Sequence, residues 1–289
     1  MTDPRTDQEN DRERDRENDQ ENDRLVRGVV AACRDASARI LEVYRRADFD
    51  VERKSDDSPL TAADMASHHC LVAALEALTP GIPILSEESA QVDFETRARW
   101  PELWVVDPLD GTREFIKRNG EFTINVALVR EQRPVLGVIA VPVTGEAFSG
   151  VEGQGALRWR DWAWPEPIAT RRPANNPPTV LGSRSHSNPR AEVYFEQLGP
   201  HRRISRGSAL KFCAVACGEA DFYPRLGPTS EWDTAAGEAI VIAAGGRVWL
   251  PDGRALRYNA RASTLNGDFL VAGDPDVDWP SPPRPGSTR

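Results

Sequence analysis

The chain has 289 residues, of which 39% are hydrophobic, and its formal net charge is −9. This length is enough to bury the core of one large domain or of two lobes. No run of about 18 apolar residues is present, and the N-terminus lacks an apolar secretory segment, so we expect a cytoplasmic protein with no integral membrane segment. No basic patch is interleaved with aromatic residues, so we expect no nucleic-acid partner.

Both ends of the chain differ in composition from the part between them. Residues 1–24 hold ten acids and five arginines, a net charge of −5 that leaves −4 for the rest of the chain. This low-complexity segment has no core-forming apolar residue and is predicted to be a disordered charged tail, with a single charged helix as the alternative. Residues 274–289 are rich in Pro, Ser and Gly and are predicted to form a second disordered tail.

The first half of the body changes from helical to strand periodicity. Apolar residues recur at helical spacing from Leu25 to Ala47 and again from Thr61 to Leu78, where Thr79-Pro80-Gly81 ends the pattern. Short strands are predicted at Ile84–Leu85 and Trp104–Val106, followed by a meander over Thr123–Leu128, Val135–Val141 and Ala147–Val151. We therefore predict an N-terminal α+β lobe over residues 25–160.

A Pro-rich and Trp-rich connection from Arg160 to Pro178 is interpreted as the seam between two lobes. Beyond it, strands at Val180–Gly182, Ala220–Tyr223 and Arg247–Leu250 alternate with helices over Pro189–Leu198, from Ser208, and over Trp232–Ala244. This alternation favours a C-terminal α/β lobe over residues 161–273, stacked on the first lobe.

One stretch has the composition of a metal site. The apolar strand that begins at Trp104 leads into Asp107-Pro108-Leu109-Asp110 and then into Gly111-Thr112. Two carboxylates this close cannot both be buried without a counter-charge, and a turn stiffened by proline that presents oxygen ligands suits Mg²⁺. The glycine and threonine offer N–H groups and a hydroxyl to an anion, especially if a helix begins there. The alternative is an ordinary surface turn.

Three separated motifs together resemble the signature set of the inositol monophosphatase superfamily. The members of this superfamily are Mg²⁺-dependent, lithium-sensitive phosphomonoesterases. The motifs are Ser86-Glu87-Glu88, Asp107–Thr112 and Trp232–Gly237. Four further segments resemble the 3'(2'),5'-bisphosphate nucleotidase branch of that family, namely Arg113–Thr123, Ser183–His186, Gly207–Cys213 and Tyr223–Thr229. The resemblance covers about residues 25–273 and implies a layered αβαβα sandwich of α+β and α/β character.

The resemblance implies a site for two or three Mg²⁺ ions, with inhibition by lithium. The implied metal ligands are Glu87, Asp107, the carbonyl of Leu109, Asp110 and Asp233. Glu87 would be shared between ions and is counted with the catalytic residues. The alternatives are a solvated glutamate pair and, for Asp233, a first-turn aspartate stabilised by a helix dipole.

The resemblance also implies a pair of residues that orient the attacking water. Asp64 in Thr61-Ala62-Ala63-Asp64 and Thr112 would fill this role, and metal activation of water combined with an oriented hydroxyl suits phosphate hydrolysis. The spacing of Thr61 and Asp64 also fits a helix capping box, and both interpretations can hold. Gly111, Thr112 and Asp233 are further expected to contact the substrate.

Residues of the second lobe are expected to select the substrate. Ser208 and Lys211 follow Gly207 at a helix start, which offers a hydroxyl, N–H groups and an ammonium to a second phosphate. Arg225 precedes a rigid Leu-Gly-Pro loop and can contact phosphate with two donors, and His186 can contact the sugar or base. The alternatives are an N-cap serine, a solvated lysine and a loop histidine.

The expected function is therefore hydrolysis of the 3'-phosphate of adenosine 3',5'-bisphosphate, a by-product of sulfur assimilation, to AMP and phosphate. The partner is a small nucleotide bisphosphate, attacked in line by water without a covalent intermediate, in a monomer or homodimer. An inositol or sugar phosphate phosphatase of the same fold is the first alternative. A non-catalytic nucleotide-binding or interaction module is the second.

Overall fold

The computed structural model describes residues 4–46, 59–89, 92–184 and 188–283. The helices are α1 (Pro4–Tyr44), α2 (Pro59–Leu78), α3 (Phe94–Arg97), α4 (Thr112–Ile116), α5 (Pro189–Gln197), α6 (Leu210–Ala216) and α7 (Ala235–Ala243). The first seven strands are β1 (Ile84–Ser86), β2 (Glu102–Asp110), β3 (Thr123–Arg130), β4 (Arg133–Val141), β5 (Glu146–Val151), β6 (Gly155–Arg160) and β7 (Trp164–Ile168). The others are β8 (Thr179–Ser183), β9 (Arg202–Arg206), β10 (Phe222–Arg225), β11 (Thr229–Ser230), β12 (Arg247–Trp249), β13 (Leu265–Asn266) and β14 (Phe269–Ala272).

The first seven strands form one sheet in chain order, with β1 parallel to β2 and the other neighbours antiparallel. Successive residues of β2 pack on opposite faces, because side chains alternate along a strand. Trp104 and Val106 pack with α1 and α2, whereas Leu103 and Val105 pack with α6 and α7. Both faces are thus buried, which accounts for the nearly continuous apolar sequence of β2.

Five later strands form a second sheet in the order β12-β14-β10-β8-β9. One face contributes Tyr223 and Val271 to the core of α6 and α7, and the other packs Phe222 against α5 residues such as Tyr194. The layers are therefore α1 and α2, the seven-stranded sheet, α6 and α7, the five-stranded sheet, and α5. The predicted αβαβα fold is confirmed.

Helix α7 lies very close to the large sheet. A Cβ atom on Gly150 of β5 would stand 2.6 Å from the Cα of Ile240, far inside van der Waals contact, so the helix can approach this strand only where it has no side chain. The position of α7 matters because the helix begins at Ala235, two residues after Asp233.

Three strands of the second sheet, β8, β9 and β10, run parallel, so their carboxyl ends lie at one edge. These ends are Ser183, Arg206 and Arg225. The crevice outside the carboxyl ends of parallel strands is a common place for ligands in open α/β sheets.

The N-terminal prediction differs from the structure, because residues 4–24 belong to α1 rather than to a disordered tail. The apolar half of α1 packs on α2, and the charged half continues the same helix through close ion pairs, Arg24–Glu21 at 2.6 Å and Arg27–Asp23 at 2.8 Å. Pairs three and four residues apart stabilise a helix that is already nucleated.

The C-terminal prediction also differs over residues 274–283. The ring of Trp279 stacks on Phe222 with centroids 4.0 Å apart, and the Arg190 side chain donates to the carbonyl of Pro283 at 2.9 Å. Stacking of a partly buried tryptophan, together with this hydrogen bond, therefore holds a segment whose composition resembles a linker. Residues 284–289 of this predicted tail lie outside the described residues.

The predicted seam at Arg160 is placed too early, since the large sheet continues through β7 to Ile168. Residues 164–167 of this strand are exposed, and prolines are tolerated on an edge strand because its outer N–H groups have no ladder partner. Prolines that were interpreted as a connection therefore belong to a strand.

In the described ranges, no helix has the length and hydropathy needed to cross a membrane.

Candidate active site

The end of β2 forms the centre of the site. Asp107 is 1% exposed, and its Oδ1 accepts a 3.0 Å hydrogen bond from the backbone N–H of Leu109. The pairing of β2 with β3 shifts register between Asp107 and Asp110. This irregularity is a bulge of the kind that re-aims side chains at functional sites, and it brings both aspartates of the strand to the same cleft.

A third carboxylate joins them from the second half of the chain. Ligand oxygens of Asp107, Asp110 and Asp233 all lie within 4.8 Å of one another. The loop before α7 fixes Asp233, since Ser230 donates its backbone N–H to Asp233 Oδ2 at 2.8 Å. Glu87 is exposed at the rim of the cleft, and its backbone N–H donates to the carbonyl of Val106 on β2 at 3.1 Å.

The electrostatics of this group are those of a cation site. Burial raises the pKa of Asp107 well above its usual range, and the charges of Asp110, Glu87 and Asp233 raise it further. Burial raises the pKa of Asp233 to about 7, again with a contribution from Asp110. Buried carboxylates that raise one another's pKa are stabilised in the charged form by a cation placed among them. Since all the donors are hard oxygens, a divalent cation such as Mg²⁺ fits them.

The structure surrounds Asp110 with donors that the sequence did not reveal. The backbone N–H of Ala209 donates to Asp110 Oδ2 at 2.7 Å, and the Thr123 hydroxyl lies 3.4 Å from the same oxygen. Thr123 also donates to Asn125 Oδ1 at 2.9 Å. Thr123 and Asn125 are the two polar residues in a strand that is otherwise apolar and buried up to Val129. They were the available signal, because buried polar side chains need partners.

Gly111 and Thr112 connect the metal residues to the second lobe. Gly111 has φ +94°, and a Cβ atom on it would lie 2.0 Å from the Ser208 hydroxyl oxygen. Only glycine fits both that conformation and that approach. Helix α4 begins at Thr112, and Thr112 is half-buried on the wall of the cleft.

Ser208 and Lys211 line the same cleft as the carboxylates, although α6 begins at Leu210 rather than Ser208. The Ser208 hydroxyl lies 2.7 Å from the carbonyl oxygen of Glu121 and 3.1 Å from that of Asp110. It therefore connects two loops instead of capping the helix. Lys211 is buried and donates from Nζ to the Ser208 carbonyl at 2.5 Å, so it is not a solvated lysine. Burial lowers the pKa of Lys211 to about 8, opposed by the negative charge of Asp110.

Glu121 is a second residue that the sequence analysis left without a role. Its Oε2 accepts from the backbone N–H of Gly207 at 2.7 Å and from Arg184 Nε at 2.9 Å. One carboxylate thus holds the loop that carries Ser208. Its place in the segment Arg113–Thr123, which resembles the nucleotidase branch, was the available signal.

The remaining predicted residues occupy different places. Arg225 ends β10 on the cleft wall and donates from Nη2 to the Pro228 carbonyl at 3.2 Å. Asp64 is half-buried on α2, one turn before Ser67, whose hydroxyl donates to the Pro108 carbonyl at 2.8 Å. The charge of Asp64 raises the pKa of Asp107, but Asp64 is not among the described residues that line the cleft. The predicted contact of His186 lies outside the described residues.

The cleft has a volume of about 400 Å³ and lies beside the carboxyl edge of β8 and β10. It brings together ten of the predicted site residues: Glu87, Asp107, Leu109, Asp110, Gly111, Thr112, Ser208, Lys211, Arg225 and Asp233. Its lining combines the carboxylates of Asp107, Asp110 and Asp233 with the positive charges of Lys211 and Arg225. A phosphorylated ligand that meets a cation at the carboxylates and carries a further negative charge suits this lining.

Comparison with known proteins gives the family. Residues 21–275 match the model of the inositol monophosphatase family, and the chain belongs to that family, whose members are metal-dependent. The chain is 46% identical over 252 residues to the 3'(2'),5'-bisphosphate nucleotidase CysQ of Salmonella typhimurium, covering 86% of this chain and 99% of the relative. The identity to the Escherichia coli K12 protein of the same name is 45% over 249 residues, covering 84% and 98%.

Comparison with solved structures supports the same family assignment. CysQ from Bacteroides thetaiotaomicron, described as a bacterial member of this family, has a TM-score of 0.78 at 42% identity and covers 85% of this chain and 96% of its own. An inositol monophosphatase from Zymomonas mobilis has a TM-score of 0.69 at 28% identity, with coverages of 86% and 93%. The predicted family resemblance is confirmed.

Proposed function

We propose that the protein is a Mg²⁺-dependent 3'(2'),5'-bisphosphate nucleotidase that converts adenosine 3',5'-bisphosphate to AMP and phosphate. The relatives at 45–46% identity carry the name of this activity. The observation that carries the proposal is the buried ammonium of Lys211, which shares one cleft with the cluster of Asp107, Asp110 and Asp233. An inositol monophosphate has no second phosphate to meet that charge.

The three clustered aspartates and Glu87 would hold two or three Mg²⁺ ions, with the carbonyl of Leu109 as a further ligand. When bound, these ions neutralise phosphate charge and promote deprotonation of water. The donor set supports this assignment, because four carboxylates and one carbonyl are hard ligands. We also expect lithium to inhibit the enzyme, as the resemblance to the family implies.

The reacting 3'-phosphate would lie between the aspartates and the Gly111-Thr112 turn. In this position the Thr112 hydroxyl would contact the phosphate and orient the attacking water, and Asp64 would act behind it. Asp64 is supported by its helix, which Ser67 ties to the Pro108 turn at 2.8 Å. Proton transfer by such a pair contributes typically about 10²–10⁴-fold to a rate.

The 5'-phosphate would contact the part of the cleft that Gly207, Ser208 and Lys211 form. Lys211 supplies charge there, the backbone of Gly207 and Ser208 supplies shape, and Arg225 stands at the end of β10. We assign His186 to the sugar or base.

We further propose that the protein is cytoplasmic. This location is supported by the four cysteines, all of them free thiols, since reducing compartments keep thiols reduced.

Phosphate release from three substrates tests this proposal. With Mg²⁺, kcat/KM for adenosine 3',5'-bisphosphate is expected to exceed that for inositol 1-phosphate and fructose 1,6-bisphosphate by at least tenfold. EDTA should abolish turnover and excess Mg²⁺ should restore it. A preference for inositol 1-phosphate would favour the first alternative. No release from any of them, with adenosine 3',5'-bisphosphate still bound, would favour a non-catalytic nucleotide-binding module.

A further inference from the structure

Asp233, the carboxylate that the second half of the chain adds to the cluster, lies in a short turn between β11 and α7. Ser230 donates its backbone N–H to Asp233 Oδ2 at 2.8 Å, and Asp233 donates its own N–H to the Ser230 carbonyl at 3.2 Å. Both bonds lie inside the turn. The place of the turn relative to Asp107 and Asp110 therefore depends also on contacts from elsewhere in the chain.

Residues 259–266 supply such contacts. Asn266 donates from Nδ2 to the Thr234 hydroxyl oxygen at 2.9 Å. The backbone N–H of Asn259 donates to Glu231 Oε2 at 2.7 Å. One segment thus holds the turn on both sides of the aspartate that contributes to the metal cluster.

The bond between Asn266 and Thr234 is buried, and its direction is defined. Asn266 is 4% exposed and Thr234 is 1% exposed. Arg261 donates from Nη2 to Asn266 Oδ1 at 3.0 Å, so the amide presents its NH₂ group to the hydroxyl. The Thr234 hydroxyl donates to the Glu231 carbonyl at 3.2 Å. Removing this hydroxyl would leave a buried donor without its acceptor, which is costly, so the geometry of the turn should depend on it.

Arg97, a buried residue at the end of α3, fastens segment 259–266 to the rest of the fold. Its Nη1 donates to Asn259 Oδ1 at 2.6 Å, and its Nη2 donates to the carbonyls of Arg261 and Ala262 at 2.9 Å and 2.6 Å. The Asn259 side chain donates back to the Arg97 carbonyl at 2.6 Å. Helix α3 is followed by β2, the strand that holds the other two carboxylates of the cluster. One polar network therefore joins the two parts of the chain that form the metal site.

We propose that Thr234 and Asn266 are positioning residues of the metal site, which set the place of the Asp233 carboxylate relative to the carboxylates of β2. The proposal rests on the proposed function, because it takes Asp233 to be a Mg²⁺ ligand. Removing a partner that orients a metal ligand typically lowers metal affinity by about 10- to 100-fold. The hydroxyl of Thr234 acts through the backbone next to Asp233, so we expect an effect at the lower end of that range.

Mg²⁺ titrations of isosteric variants test this inference with two readouts. Thr234→Val keeps the shape of the side chain but removes the hydroxyl. Without substrate, the rise of its melting temperature should begin at an about tenfold higher Mg²⁺ concentration than in the wild type. The Mg²⁺ concentration for half-maximal turnover of adenosine 3',5'-bisphosphate should rise by a similar factor, and kcat at saturating Mg²⁺ should change less. Thr234→Ser keeps the hydroxyl and should retain both wild-type responses.

Asn266→Ala removes the donor instead of the acceptor and should shift both Mg²⁺ responses in the same direction. If both residues act through their shared bond, the double variant with Thr234→Val should be no worse than the poorer single variant. Fully additive shifts would overturn the role of that bond.

Ser149→Ala is the matched control, because it also leaves a buried donor, Trp159 Nε1, without its acceptor. Ser149 lies on β5 and is not among the described residues that line the cleft. This variant should lower the melting temperature in EDTA without changing either Mg²⁺ response. Unchanged Mg²⁺ responses in Thr234→Val, or an equal shift in Thr234→Ser, would overturn the inference and leave the proposed function intact. A wild-type protein whose stability and turnover do not respond to Mg²⁺ would refute the proposed function and this inference with it.

Discussion

The backbone N–H of Ala209 donates to Oδ2 of Asp110 over 2.7 Å. Asp110 ends a strand of the large sheet, and Ala209 precedes α6, which packs between the two sheets. Lys211 follows two residues later, and its charge lowers the pKa of Asp110 against the effect of burial. The carboxylate cluster and the proposed phosphate wall are thus one connected unit.

The first prediction concerns Asp110→Asn. The substitution removes one charge from the cluster while keeping an oxygen that can accept from Ala209, so turnover should be nearly abolished and the fold retained. Without metal, the variant should be at least as stable as the wild type, because burial and neighbouring charges raise the pKa of Asp107 and Asp233. Phosphate release and melting temperature, each with and without Mg²⁺, measure both effects.

The two measurements separate the possible outcomes. A wild-type melting temperature that rises with Mg²⁺, and a variant that does not respond, would fit a lost metal ligand. Turnover near the wild-type rate would contradict the role of Asp110.

Local chemistry made the metal residues predictable. Asp107 and Asp110 stand three residues apart after an apolar strand, so the strand itself brings them together. The roles of Ala209 and Glu121 could not be read in this way, because they depend on contacts between residues about 90 apart in the chain. Sequence periodicity carries no information on which loops contact each other in the tertiary structure.

The structure of the C-terminal residues could not be predicted from the sequence for the same reason. The composition of residues 274–283 is typical of a linker, yet the stacking of Trp279 on Phe222 and the hydrogen bond from Arg190 to the Pro283 carbonyl hold the segment against the second sheet and α5. Whether a single tryptophan finds such a partner depends on the tertiary fold. The layered architecture, in contrast, follows from repeated helix and strand periodicities that many residues determine together.

The second prediction concerns substrate choice. Lys211→Met should lower kcat/KM for adenosine 3',5'-bisphosphate by about ten- to a hundredfold, since a charge-assisted contact is worth roughly 1.5–3 kcal/mol. A contact equally strong in ground and transition states appears mainly as a raised KM. A nucleoside 3'-monophosphate, which has no 5'-phosphate, should be affected much less.

Lys117→Met is the control for this series, because Lys117 is exposed just beyond α4. Equal losses on the bisphosphate and the monophosphate would place Lys211 in the support of Asp110 rather than at the second phosphate. Titration with Mg²⁺ would then show a weaker metal response.

The third prediction concerns Glu121 as a positioning residue. Glu121→Ala leaves the Gly207 N–H without its acceptor, and the loss of such a partner costs about 1–3 kcal/mol of stability. The loop before Lys211 should loosen, so KM for the bisphosphate should rise more than kcat falls. Arg184→Ala removes the half-exposed ion pair and an exposed hydrogen bond to the Ser205 carbonyl, but leaves the Gly207 contact in place, and should cost at most about 1 kcal/mol. Equal kinetic effects of the two variants would indicate that the ion pair, not the Gly207 contact, is what matters.

The last prediction concerns the pH dependence of stability and Glu238, a fully buried residue of α7. Burial raises the pKa of Glu238 from its ordinary 4.5 to about 7, although the Tyr258 hydroxyl donates to its Oε2 at 2.6 Å. The native state therefore holds a proton that the unfolded chain has already released, so Glu238 should make stability fall as pH rises from about 4.5 to 7. The full effect is about 3 kcal/mol, since each pKa unit corresponds to about 1.4 kcal/mol.

Glu238→Gln cannot titrate and keeps an acceptor for Tyr258, so its stability should fall less over this range and exceed that of the wild type at pH 8. Urea unfolding of both proteins between pH 5 and pH 8, in EDTA, gives the difference directly, because the other titrating groups are common to both. Parallel stability profiles would show that Glu238 stays in one protonation state and would contradict the raised pKa.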